Sequence, residues 1–311
     1  MVDTKRRDFL RAVAGAGVLG LTGTGPLRGR PLGPEEGTAR TADGGWPDLV
    51  TVRGGSPMRL VKTALEKLGG IERFVTKGDR VVLKPNIGWD RIPEQGANTN
   101  PQVVGSLIRH CLEAGARSVT VLDNTCNDQR RCYARSGIEA VCREMGAELK
   151  PLVPRDYVEV DMKGKIIKRW MAARPVLEAD CLINVPVAKH HSLTTLSLGM
   201  KNWFGAVGGR RQHLHQDIST TIVDMAAYFQ PRLVVVDAVR ILKRNGPQGG
   251  NVKDVEQINS LVASADQVAA DAAAAGLFGL EPHQLDFIVK AQERGLGRMS
   301  PEGARWETVT L

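Results

Sequence analysis

From about residue 49 onward, short apolar runs alternate with longer segments whose apolar positions recur about every three or four residues. The runs are LVTVR at 49, RVVLK at 80, SVTVLD at 118, DCLINV at 180 and RLVVVD at 232. They are brief, rich in β-branched residues and apolar at successive positions, as strands buried on both faces read. The intervening segments carry helix-start chemistry. Ser56-Pro57 and Asn100-Pro101 each set a capping side chain before a proline at the first helical position, which predicts helices running to about Leu68 and Ala114. Asp266 caps an Ala-rich helix that continues to Leu277 in the same manner. The alternation predicts an α/β fold, a mostly parallel sheet with helices on both faces. One stretch departs from it: LVPRDYVEVDMKGKIIKRW turns at Lys163-Gly164 and reads as a small β-hairpin excursion.

Residues 1–48 break the pattern. Gly15, Gly17 and Gly20 in AVAGAGVLGLTG have the G-x-G-x-x-G spacing, and Glu35 and Glu36 stand about where a ribose-binding acid would. That fingerprint works only between a strand and a helix, and neither flank reads that way. Upstream stands TKRRDFLRAV, with Arg6 and Arg7 paired and followed by Phe9 and Leu10; downstream a mildly apolar segment gives way to a Pro/Gly/Arg-rich run. A basic start, a soft apolar centre and a polar tail have the order of a targeting segment, and this one resembles a twin-arginine export signal. The expected organisation is a leader over 1–25, a linker over 26–48 and a single α/β domain over 49–311. The expected location is periplasmic or otherwise extracytoplasmic, with the twin-arginine export machinery as a partner and membrane contact only through an uncleaved leader.

With 42% hydrophobic and 24% charged residues in 311, composition is ordinary for a globular protein. The net charge of +8 favours acidic ligands. Aromatic residues make up 5% and are not interleaved with basic ones, so the pattern of a nucleic-acid binder is missing. No apolar run approaches the roughly 18 residues of a membrane-spanning helix. The five cysteines form no C-x-x-C pair, which removes iron–sulfur and zinc-ribbon spacings. Cys111, Cys142 and Cys181 lie on apolar stripes and read as core. Cys126 and Cys132 are read in the loop after Asp123, as metal ligands, reactive thiols or a disulfide pair.

Open α/β sheets bind ligands at the carboxyl ends of their strands, and polar residues gather there. Lys84-Pro85-Asn86, Asp123-Asn124, Asn184 through His191 and Asp237 each follow an apolar run. The segment INVPVAKHHSLTTLSLGMKNWFGAVGGRRQHLHQD, residues 183–217, concentrates Lys189, His190, His191, Lys201, Asn202, Arg210, Arg211, His213, His215 and Asp217. Lys189 and His191 read as an acid–base or anion-binding pair, or as a surface turn after Pro186. His213, His215 and Asp217 would share one side of an extended segment and, with Asp237, hold zinc, iron or manganese; the alternative is a solvated basic loop. Gly205, Gly208 and Gly209 ahead of Arg210-Arg211 offer backbone amides and guanidinium groups to a phosphate or carboxylate. Nothing in the body has a nucleotide fingerprint, and no complete hydrolase signature occurs.

VVLKPNIGWD with NTNPQVV, LINVPVAKHHSLTTLSLGMKNWFGAVGG, VVVDAV with NGPQGG, and ASADQVAADAAAAGLFGL with GLG occur in that order over roughly residues 80–297. They resemble the family known as domain of unknown function 362. The resemblance implies an α/β fold and a shared polar site on Lys84, Asn86, Thr99, Asp123, Lys189, His191, Lys201, Asn202, Arg211, His215, Asp237 and Asp271. Some members carry an iron–sulfur module, for which this chain lacks the cysteines, and Thr99-Asn100 stands where the family often has Thr-His. The expected function is an exported enzyme. Lys189, His191 and Asp123 would do its acid–base work, and Lys84, Asn86, Thr99, Lys201, Asn202 and Arg211 would bind a small anionic molecule. A divalent metal would add lyase, isomerase or hydrolase chemistry. The rival expectation is a non-catalytic metal-binding, cofactor-binding or redox-accessory protein of the cell envelope.

Overall fold

A computed structural model describes residues 45–311, so the leader and most of the linker lie outside the described residues. In chain order the strands are β1 (Leu49–Arg53), β2 (Arg80–Pro85), β3 (Ser118–Val121), β4 (Glu148–Leu149), β5 (Tyr157–Asp161), β6 (Arg169–Ala173), β7 (Cys181–Val185), β8 (Val187–His191), β9 (Thr195–Ser197), β10 (Leu233–Leu242), β11 (Val255–Ser264) and β12 (Trp306–Thr310). The helices are α1 (Pro57–Lys67), α2 (Pro101–Glu113), α3 (Gln129–Arg135), α4 (Ile138–Met145), α5 (Arg174–Leu177), α6 (Gly199–Asn202), α7 (Ile218–Tyr228), α8 (Gln267–Gly276) and α9 (Asp286–Glu293). All five apolar runs are strands, and Ser56, Asn100 and Asp266 cap α1, α2 and α8 through their side chains as expected.

The main sheet runs β12-β1-β11-β10-β7-β2-β3-β4, with β8 also on β10 and β9 on β8. Strands β10, β7, β2, β3 and β4 pair in parallel, whereas β11 is antiparallel to both β10 and β1. The run at 49 therefore joins the sheet through an antiparallel strand that sequence pattern did not reveal. The outer half of β11 is polar and partly exposed and only its inner half is buried, so it never forms a long apolar run. Alternation within the central strands divides the core. Val81, Leu83, Ile183, Val185 and Val235 pack with α1, α2 and α4, while Val82, Leu182, Val234 and Val236 pack with α7, α8 and α9.

Two local features position the site. After Pro186 the chain does not enter a loop but resumes as β8, which pairs with the outer half of β10 at Asp237↔Val187 and Leu242↔Lys189. The period of a strand then sets Lys189 and His191 on one face and Ala188 and His190 on the other. The hairpin β5–β6 forms as predicted, and its loop is fastened to the body by Asp224 of α7. This fully buried carboxylate accepts from the amides of Lys165, Ile166 and Ile167 at 2.7–2.9 Å and from Arg294 Nη1 at 2.5 Å. Burial alone would raise its pKa; the amide bonds and Arg294 outweigh burial and lower it.

Replacing Asp224 with Ala leaves Arg294 and three amides unsatisfied. Denaturant unfolding should show a loss of about 3–5 kcal/mol. Hydrogen exchange at residues 165–167 should accelerate in the same variant before the rest of the sheet is affected.

Candidate functional site

At the carboxyl end of β2, the Lys84 ammonium meets Asp123 Oδ1 at 2.6 Å, Asn202 Oδ1 at 3.0 Å and the Pro85 carbonyl at 2.8 Å. Those acceptors use all of its N–H donors. The other Asp123 oxygen accepts from the Ile87 amide at 2.6 Å. Lys84 is wholly buried, and burial pulls its pKa down against the pull of Asp123. The pair is roofed by Gly205, where a Cβ would overlap the Asp123 carboxylate and crowd Lys84 Nζ, so this position requires glycine. Asn202 extends the network, its Nδ2 donating to the Lys84 carbonyl at 3.0 Å and to Asn184 Oδ1 at 2.8 Å. Asn86 Nδ2 donates to Asn202 Oδ1 at 3.1 Å.

Two further lysines reach the same end of the sheet. Lys189 Nζ donates to Asn86 Oδ1 at 3.1 Å and to the Ala97 carbonyl at 2.6 Å, with the Trp89 ring centroid 5.9 Å away. Lys201 Nζ stands 3.5 Å from the Phe204 ring centroid, and among the described residues it has neither a hydrogen-bond acceptor nor a carboxylate partner. Burial first, and then the other cations of the cluster, lower both lysines to about 7. His191 is driven to about 3, first by burial and then by Lys201 and Lys189. The Leu193 amide donates to His191 Nδ1 at 3.2 Å, which assigns the ring proton of the neutral imidazole to Nε2. His215 sets its ring edge-on to Phe204 at 5.2 Å, and its Nδ1 lies 3.1 Å from the Arg211 carbonyl. A carbonyl only accepts, so that nitrogen carries the proton.

Several residues expected to bind a ligand instead hold the site together. Arg211 Nη1 donates to the carbonyls of Asn124 at 2.9 Å and Phe204 at 3.2 Å, and its Nη2 to that of Thr125 at 2.7 Å. Thr99 Oγ1 donates to the Val185 carbonyl at 2.7 Å and accepts from the Asn86 amide at 2.8 Å. Asp237 accepts from the amides of Asn100 and Val239 at 2.7 and 2.9 Å, and burial raises it to about 6. Asp271 accepts from Gly199 and Met200 at the start of α6 at 2.6 and 2.9 Å, and burial raises it to about 7.

The structure thus brings together Lys84, Asn86, Asp123, Lys189, His191, Lys201, Asn202, Arg211 and His215. The expected metal quartet does not assemble. Arg211–His215 is a tight helical turn rather than an extended segment, so alternation does not align its histidines. His213 is exposed, Asp217 caps α7 at the Thr220 amide 3.2 Å away, and Asp237 is engaged elsewhere. Among the described residues no three of His, Cys, Asp or Glu converge as metal ligands would. The Gly208 amide is engaged within the protein. Gly208 packs under the Tyr157 ring, donates to the Met171 carbonyl at 2.9 Å and accepts from Trp170 Nε1 at 2.9 Å. Cys132 belongs to α3 and is buried, whereas Cys126 is exposed; both are free thiols. Trp89, the Ala97 carbonyl, the Phe204 ring and the buried, unpartnered Tyr157 hydroxyl escaped sequence reasoning. Phe204, inside KNWFGAVGG, and Trp89, inside VVLKPNIGWD, lay within motifs that pointed here.

The comparisons place this architecture. The thylakoid-associated protein sll1697 of Synechocystis sp. is 26% identical over 256 residues, covering 80% of this chain and 78% of that protein. Among solved structures, the lactate racemase apoprotein of Thermoanaerobacterium thermosaccharolyticum superposes with a TM-score of 0.46 at 11% identity. The alignment covers 73% of this chain, which spans 56% of the racemase chain. A Thermotoga maritima protein superposes with a TM-score of 0.44 at 13% identity, over 72% of this chain and 60% of that one. These superpositions are too loose to carry chemistry from either structure. The model of a domain of unknown function, DUF362, matches residues 81–276, from β2 through α8 and across every residue of the lysine cluster, and the chain belongs to that family.

Proposed function

We propose that the strand ends bind a small carboxylate or phosphate, and that the protein is an extracytoplasmic enzyme acting on it by proton transfer. The observation that carries this reading is Lys201, an ammonium only 7% exposed with an aromatic face beside it and no anion among the described residues. A buried cation left without a counterion is costly, and an anionic ligand would supply the missing partner. Lys84 spends its N–H groups and Arg211 three of its five on protein acceptors, so they contribute mainly positive field, while Lys201, the remaining N–H of Lys189 and His191 Nε2–H are available to a ligand. Lys189, titrating near 7, suits proton exchange at neutral pH. His191 stays neutral there and serves as a hydrogen-bond donor. Export is supported by the paired arginines of the leader and fits a relative named as thylakoid-associated.

Calorimetric titration with oxalate at pH 6 should show binding that weakens about 10- to 100-fold in Lys201→Gln, the loss of one charge-assisted bond. Affinity should fall as pH rises through about 7, where Lys189 and Lys201 shed their protons. Affinity that stays flat to pH 9, or is unchanged in the variant, would contradict the reading.

The same lysines oppose each other in stability. Lys84→Met strands Asp123 and should cost about 3–5 kcal/mol, whereas Lys201→Met removes an uncompensated charge and should raise the melting temperature at pH 6. The folded-state pKa values of Lys189 and Lys201, about 7, lie below the ordinary 10.5, so the unfolded chain binds more protons between them. Wild-type stability from these two groups should therefore increase over that window, a slope that Lys201→Met should diminish.

Replacing Arg6 and Arg7 with Lys should leave the protein in the cytoplasm of its host. Fractionation followed by N-terminal sequencing reads this directly, and unaltered export would refute the twin-arginine assignment.

A further inference from the structure

Among the cysteines Cys126 alone is exposed, and its loop is pinned on both sides to the lysine cluster. On one side Arg211 grips the carbonyls of Asn124 and Thr125 with the same guanidinium that grips Phe204, whose ring carries the Lys201 ammonium. On the other the Cys126 amide donates to the Gly88 carbonyl at 2.8 Å. A Cβ on Gly88 would lie 3.9 Å from Cys126 Sγ and 3.5 Å from Asn86 Oδ1, the atom that receives Lys189. The thiol and the acceptor of Lys189 thus border one small space. Lys201, more than nine-tenths buried and without an anion among the described residues, points independently to a ligand, and the Arg211 guanidinium ties the backbone of its Phe204 partner to the Cys126 loop.

We propose that Cys126 is a nucleophile of this site, directed at small carboxylates that carry an electrophilic carbon. The inference rests on the anion-site reading above and adds to it a covalent step. The thiol passes its proton to a neutral lysine amine, giving a thiolate beside an ammonium. Sγ then bonds to the electrophilic carbon. Where that carbon belongs to a carbonyl, the π electron pair moves to oxygen and the lysine ammonium returns the proton there. Where it carries a leaving group, the bond to that group breaks and the group departs with the electron pair. The neighbouring cations hold the substrate carboxylate, so charge on the electrophile is the discriminating property.

Iodoacetate and iodoacetamide test this, because they differ in charge and share the displacement: an S–C bond forms and iodide leaves. Alkylation of the full chain at pH 7 and low ionic strength, read at the Cys126 peptide by mass spectrometry, should show an iodoacetate-to-iodoacetamide rate ratio at least about 10-fold above that of glutathione. Added salt and saturating oxalate should each lower the ratio towards the glutathione value. Lys201→Gln should do the same, and Lys189→Gln provides a second variant if that one fails to fold. Cys126→Ser should still bind oxalate by calorimetry. A ratio equal to that of glutathione, in protein that binds oxalate, would overturn the proposal and leave the anion site standing. No oxalate binding in either wild type or Cys126→Ser would remove the anion site, and this inference with it.

Discussion

The buried contact between Lys84 and Asp123 is the point on which the arrangement turns. A lysine and an aspartate taken out of water are each costly alone, and tolerable together only if their remaining donors and acceptors are met. Here the Pro85 carbonyl, Asn202 and the Ile87 amide meet them, so the pair fixes the end of β2, the residue after β3 and the short helix α6 in one geometry. Gly205 can cover the pair only because it lacks a side chain. The asparagines Asn86, Asn184 and Asn202 spread that order to β7 and to Lys189.

From this follows a division between cations that build and cations that wait. Lys84 spends its N–H groups and Arg211 three of its five on the protein, and both hold loops in place. Lys201 spends none on an acceptor among the described residues, although it is nearly as buried. A fold optimised for stability alone would not keep a lysine there, and natural sequences that break such a rule tend to do so at functional sites. The two raised carboxylates, Asp237 and Asp271, sit one layer behind and orient backbone.

Much of this was legible in the sequence because buried parallel strands advertise themselves as apolar runs, and their ends locate polar residues without knowledge of contacts. Lys84, Asn86, Asp123 and Lys189 were found that way, and Lys201 by the concentration of cations over residues 183–217. What the pattern hid has physical reasons. Strand β11 is apolar along only its inner half, and β8 was masked by Pro186 and by polar side chains that face inward. The HLHQD segment has the spacing of a ligand set only if extended, and local hydrogen bonds from His213 to Arg210 curl it instead. Donor roles were invisible too: nothing in a string of residues tells that Arg211 is occupied by carbonyls while Lys201 is vacant.

Mounting Lys189 and His191 on β8 rather than on a loop has a consequence for how this site can change. A loop absorbs an inserted residue by bulging, but a strand has a reading frame of two. One residue added or lost between Pro186 and Lys189 would turn both side chains to the opposite face and present Ala188 or His190 in their place. At this edge of the sheet the length of the segment is therefore as much a part of the chemistry as the identity of the side chains it carries.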